Sequence, residues 1–104
     1  MSNWVKVASE DDFTKHVVMI DCDDQRIAVF KLADGYFAIA DECSHAEASL
    51  SEGDIVNGCE VECPLHGAKF DIKTGKNLGF PAVTPVDAFR TKVEGGVVYV
   101  EIDD

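Results

Sequence analysis

Residues 43–75 read CSHAEASLSEGDIVNGCEVECPLHGAKFDIKTG, and two groups inside this stretch govern the reading of the whole chain: Cys43-Ser44-His45 and Cys63-Pro64-Leu65-His66. The pattern is C-x-H, then seventeen residues, then C-x2-H. Each group offers one thiol and one imidazole and is followed by a small residue, Ala46 or Gly67. Two cysteines and two histidines can hold one tetrahedral zinc. They can also hold a 2Fe–2S cluster in which two imidazoles replace two thiolates on one iron. Zinc sites commonly pair like ligands, with two cysteines in one knuckle and two histidines on a helix. Here both groups are mixed. A diiron cluster accounts for the mixture, because each group gives its Cys to one iron and its His to the other. A zinc-bound interaction module stays open as the alternative.

Outward from these groups, residues 41–85 hold five of the eight glycines and all three prolines, Pro64, Pro81 and Pro85. That is loop and turn chemistry. Loops of this length are usually functional or held by something other than a core, here a metal centre. The flanks are β-rich. Residues 17–20 form an apolar run, and 26–32 and 36–40 lie about the turn Ala33-Asp34-Gly35. Residues 86–93 lead into Glu94-Gly95-Gly96, and 97–102 return. Paired β-rich runs about short Gly-containing turns predict antiparallel hairpins. Only residues 10–16 are expected to carry a short helical turn. The expected fold is all-β: a single domain, residues 1–104, with a loop-rich subdomain at about 41–85 inserted in a β scaffold. There is no internal repeat or linker.

The chain has 104 residues, 20 acidic and 9 basic, for a net charge of −11. Phosphate binding needs clustered Lys and Arg, so this balance argues against nucleic acid. Anionic lipid surfaces are disfavoured for the same reason. No apolar run approaches the ~20 residues that span a bilayer. Residues 1–12 lack a basic segment followed by an apolar one, so no signal peptide is expected and the expected compartment is the cytoplasm. In that setting the four cysteines are expected to be metal ligands or plain thiols rather than disulfides.

With Cys43-Ser44-His45 and Cys63-Pro64-Leu65-His66-Gly67, the sequence resembles the Rieske iron–sulfur proteins. The likeness extends to Ala48-Ser49-Leu50-Ser51-Glu52-Gly53 after the first group and Phe70-Asp71-Ile72-Lys73-Thr74-Gly75 after the second. Gly79-Phe80-Pro81-Ala82 is similar to the family's proline loop over the cluster. The resemblance implies three stacked antiparallel sheets with a cluster-binding subdomain at one end. It implies one 2Fe–2S cluster per chain, held by Cys43, His45, Cys63 and His66. A stand-alone chain of this length resembles the ferredoxin component of bacterial aromatic-ring-hydroxylating dioxygenases. That implies an electron carrier, not itself an enzyme; a monomer is expected. It would run between a flavin-dependent, NAD(P)H-oxidising reductase and a terminal Rieske non-heme iron oxygenase. A Rieske-type small subunit of a nitrite reductase is the alternative within the family. The chain departs from the cytochrome-complex branch. Ala48 and Leu65 stand where those members have a cysteine pair, and Ala68 and Phe70 stand where they have Ser and Tyr hydroxyls. Many ferredoxins of the type also have Gly where this chain has Ala46.

With neutral imidazoles, two ferric ions, two sulfides and two thiolates sum to zero, and one electron makes the centre singly negative. A four-cysteine cluster is two charges more negative, so the mixed set has the higher potential. His45 and His66 are the expected electron exit, each with one ring nitrogen left for solvent or partner. Cys22 and Cys59 read as non-ligands, and His16 as a structural or surface residue. Trp4 and the six phenylalanines read as core, with Phe80 as a shield for the cluster. Residues 41–62 carry seven acids and no Lys or Arg. An acidic docking rim is therefore expected at Asp41, Glu42 and Glu47 beside the first group, and at Glu62 beside the second.

Overall fold

The run Ile27-Ala28-Val29-Phe30 has no exposed surface. Successive strand side chains point to opposite faces, so a strand buried at four consecutive positions is covered on both sides. The computed structural model describes residues 2–22, 25–42, 48–64, 67–78 and 84–103. In it this run belongs to β3, the middle layer of three antiparallel sheets. The middle sheet is β2 (Val17–Cys22), β3 (Gln25–Leu32), β4 (Gly35–Ala40) and β8 (Ala88–Phe89), in that order. The first outer sheet has the order β1 (Ser2–Ser9), β10 (Val97–Asp103), β9 (Thr91–Glu94). The third is β5 (Asp54–Val56), β6 (Glu60–Glu62) and β7 (Lys69–Asp71).

Two cores follow from the two faces of β3. Ile27 and Val29 meet Phe13, Ala38, Val98, Val100 and Ile102. Ala28 and Phe30 meet Ile39, Leu50, Val61, Cys63, Ala68, Phe70 and Ile72. The hairpins follow the expected turns: Leu32 pairs with Gly35, and Val97 with Glu94.

Four expectations need correction. Residues 86–93 are not one strand. The run breaks at Arg90, whose carbonyl accepts the Glu101 N–H at 2.9 Å. β8 pairs with β4 in the middle sheet, whereas β9 pairs with β10 in the outer one, so the break lets the chain change layers. A second 3₁₀ turn, Leu50–Glu52, joins the expected one at Glu10–Asp12. The segment read as loops has its own small sheet and a packed interior, since Leu50, Val61, Phe70 and Ile72 are all fully buried. Trp4 is not core. It is 39% exposed and lies under the Lys92 ammonium, 4.6 Å from the ring centre. His16 is exposed as expected, at a left-handed turn position with φ 64°.

Candidate metal centre

β6 and β7 form a hairpin whose connection carries the second candidate ligand group, residues 63–66. The Cys63 N–H donates to the Ala68 carbonyl at 2.6 Å and closes the connection at its base. Cys63 itself is 1% exposed and belongs to the core between the middle and third sheets. It forms no disulfide. Cys43, His45 and His66 lie outside the described residues, as do Glu47 and the 79–83 segment with Phe80. Among the described residues no three His, Cys, Asp or Glu side chains gather as a metal site.

The residues flanking those segments converge on one end of the third sheet. Glu42 and Ser49 bridge each other across the first segment, and the Leu50 N–H donates to the Asp41 carbonyl at 2.7 Å. Gly53, just past the 3₁₀ turn, lies against the backbone of Glu62, at the Cys63 end of β6. Leu78 donates its N–H to Lys69, at the start of β7, so the 79–83 segment leaves from the same end. Across the base of that third segment, the Val86 N–H reaches the Gly75 carbonyl at 2.9 Å.

The remaining cysteines are placed elsewhere. Cys59 is in the turn before β6, and at 3.3 Å per residue it lies roughly 13 Å along the strand from Cys63. Its carbonyl accepts the Ile72 N–H at 2.9 Å. Cys22 packs against the other core, beyond the middle sheet. The acidic rim also changes. Glu42 is exposed and pairs with Arg26 at 3.4 Å, but Asp41 has no exposed surface. Asp41 therefore cannot meet a partner. Glu52, exposed and unforeseen as a rim residue, joins Glu42, Arg26 and Ser49 around a hollow of about 390 Å³.

A Rieske [2Fe-2S] domain model matches residues 3–90. The chain belongs to the Rieske family. Its cofactor is therefore a 2Fe–2S cluster, and the buried Cys63 thiol, which forms no disulfide, suits that cofactor. Among Rieske proteins, the chain is similar to the 3-phenylpropionate/cinnamic acid dioxygenase ferredoxin subunit of Shigella flexneri. The two are 44% identical over 78 residues, which cover 75% of this chain and 74% of the relative. The ferredoxin of carbazole 1,9a-dioxygenase from Nocardioides aromaticivorans superposes with a TM-score of 0.87 at 36% identity, over 94% of this chain and 96% of that one. A chain of a complex of reduced oxygenase and oxidized ferredoxin in carbazole 1,9a-dioxygenase gives 0.86 at 34% identity, over 93% and 91%. This Rieske chain is thus an electron-transfer protein rather than a catalyst in its own right. No described helix is long and apolar enough to cross a membrane.

A second hollow, of about 560 Å³, lies away from this end and is lined by Trp4, Tyr36, Phe37, Phe89 and three cations. Each cation is already paired: Lys73 with Asp34, Arg90 with Glu101 and Lys92 with Glu94. The Lys73 hydrogen bond holds the Asp34 carboxyl below its ordinary pKa, and the same bond raises that of Lys73.

Proposed function

We propose that this protein is the one-electron shuttle of an aromatic-ring-hydroxylating dioxygenase system, taking electrons from a flavin-dependent NAD(P)H reductase and delivering them to a terminal Rieske non-heme iron oxygenase. The observation that carries this reading is the match to a dioxygenase ferredoxin over 94% of this chain and 96% of that one. Cys43 and Cys63 would bind one iron and His45 and His66 the other. When bound, the cluster takes up and releases one electron with no bond made to a substrate. Cys63 would hold its iron from the core side, because its side chain is buried and its backbone is pinned to Ala68. We place the chain in the cytoplasm as a monomer, with residues about 41–85 as its cluster-binding part. The test is reconstitution with candidate reductases and oxygenases. NAD(P)H-driven product formation should require this protein and should stop when the Cys63→Ser form replaces it. Turnover at full rate without the ferredoxin would refute the assignment.

The potential should sit near the low end of the Rieske range, roughly −150 mV. Ala68 and Phe70 are both fully buried and offer no hydroxyl to the reduced, more negative centre. If a hydroxyl favours that state by ~1 kcal/mol, it raises the one-electron potential by roughly 45 mV. The double change Ala68→Ser with Phe70→Tyr is expected to raise it by about 100 mV. Protein-film voltammetry reads this directly, and an unchanged or lowered potential would remove the hydroxyl explanation.

Docking is expected to be transient and steered by charge. At ~0.15 M salt, attraction fades beyond about 8 Å, so only acids near the contact matter. Glu47→Gln and Glu62→Gln should each flatten the fall of the electron-transfer rate with ionic strength, leaving the visible spectrum unchanged. Stopped-flow rates already flat in salt for the unaltered protein would show that the acids only keep the surface solvated.

A further inference from the structure

Asp41 is the only acidic or basic residue among the described ones with a fully buried side chain. It stands two positions before Cys43. The guanidinium of Arg26, whose carbonyl bonds the Asp41 backbone, pairs with Glu42 instead, and no described ion pair involves Asp41. Burying a polar side chain is costly unless it is hydrogen-bonded, so the partners of Asp41 matter.

The hydrogen bonds of Asp41 indicate what is gained. Its N–H donates to the Arg26 carbonyl on β3 at 2.9 Å, and its carbonyl accepts from the Leu50 N–H at 2.7 Å. Its Oδ1 accepts the Ser51 N–H at 2.8 Å, while Oδ2 is buried without a partner among the described residues. Leu50 and Ser51 open the 3₁₀ turn, and Ser49, at the usual capping position, makes no side-chain cap. The side chain of Asp41, ten positions before Ser51, therefore does the capping, satisfying an amide that a helix start leaves free. The cap joins the two ends of the segment 42–49. It also seats Leu50 in the core that contains Cys63, so both ligand groups are referred to one packed interior.

We infer that Asp41 is a positioning residue for the cluster: its side chain caps the Leu50–Glu52 turn from across the first ligand segment and so fixes Cys43 and His45 relative to Cys63. This rests on the ligand assignment proposed above. The test compares two substitutions that both keep the branched shape and heavy-atom count of aspartate and carry no ionisable group. Asp41→Asn retains an acceptor for the Ser51 N–H, whereas Asp41→Leu does not. In the holoprotein, Asp41→Leu should lose its visible cluster absorbance to a chelator roughly tenfold faster than wild type, about the effect of one lost cap. The reduced form should also show shifted or broadened EPR g-values. Asp41→Asn should match wild type in g-values and stay within about threefold in rate. Val100→Ala, in the other core, controls for general loss of stability. If Asp41→Leu bleaches no faster than a Val100→Ala protein of equal or lower melting temperature, the proposal fails. If the leucine protein does not fold, the asparagine protein decides alone, and loss of its cluster or a changed EPR signal overturns the proposal. Cys43→Ser separates this from the ligand assignment: a normal cluster in that protein would refute the assignment itself, whatever the Asp41 variants do.

Discussion

Cys63→Ser is expected to abolish the cluster, taking iron and acid-labile sulfide from about two of each per chain to near zero. The red-brown colour and the EPR signal should go with them. The same loss is expected for Cys43→Ser, His45→Ala and His66→Ala. Cys59→Ser and Cys22→Ser should both keep a full complement. The contrast between Cys59 and Cys63 is the sharpest part, because the two are only four positions apart. A strand separates them. Cys63 is buried just past the end of β6 that faces Gly53, and Cys59 lies in the turn at the other end. Two thiols roughly 13 Å apart along a strand cannot both serve one compact centre. Cluster binding is also folding energy, since the ligated state exists only in the native fold. The ligand variants should therefore melt at lower temperature as well as lack iron. Iron and sulfide analysis with a thermal melt is sufficient. A Cys59→Ser protein without iron beside a Cys63→Ser protein with it would reverse the assignment.

The Rieske family was legible because its motif is local: a thiol and an imidazole two or three positions apart, twice over, are read without knowing the fold. The hairpins at Ala33-Asp34 and Gly95-Gly96 were legible for the same reason. The features that needed the structure all depend on distant parts of the chain. The 86–93 run looks continuous, and it breaks at Arg90 only because its halves pair with β4 and β10 in different layers. Trp4 looks like core, yet an ammonium from Lys92 on another strand covers it in place of the interior. Asp41 counts toward the acidic total like any other acid. Its burial becomes visible only when the amide of Ser51 is found to receive its side chain. A three-layer stack magnifies this difficulty. β3 is apolar on both faces, and the sequence does not say which outer sheet covers which face.

Gly75→Ala is expected to cost about 3 kcal/mol, combining overpacking of roughly 1–3 kcal/mol with a left-handed backbone penalty of roughly 1–2. Gly75 has φ 79°, and a Cβ there would come within 2.1 Å of the Val86 carbonyl oxygen. Backbone would have to move at the contact that closes the base of the 79–83 segment, where the Val86 N–H meets the Gly75 carbonyl. Gly53→Ala isolates the steric part. Its φ is −81°, which any residue adopts, but a Cβ would stand 2.0 Å from the Glu62 carbonyl oxygen. Gly58→Ala isolates the backbone part, with φ 76° and nothing within 4 Å of the added carbon. At roughly 4–8 °C per kcal/mol for a domain near this size, Gly75→Ala should lower the melting temperature by about 12–24 °C. Gly58→Ala should lower it by roughly 4–16 °C on the same scale. Iron content should separate the variants further. Gly53 and Gly75 join the bases of the cluster-end segments to the third sheet and to Val86, so their alanine forms should lose cluster on mild warming, and Gly58→Ala should not. Equal melting temperatures and equal iron retention in all three would mean that the close approaches at Glu62 and Val86 are not needed to hold the cluster end together.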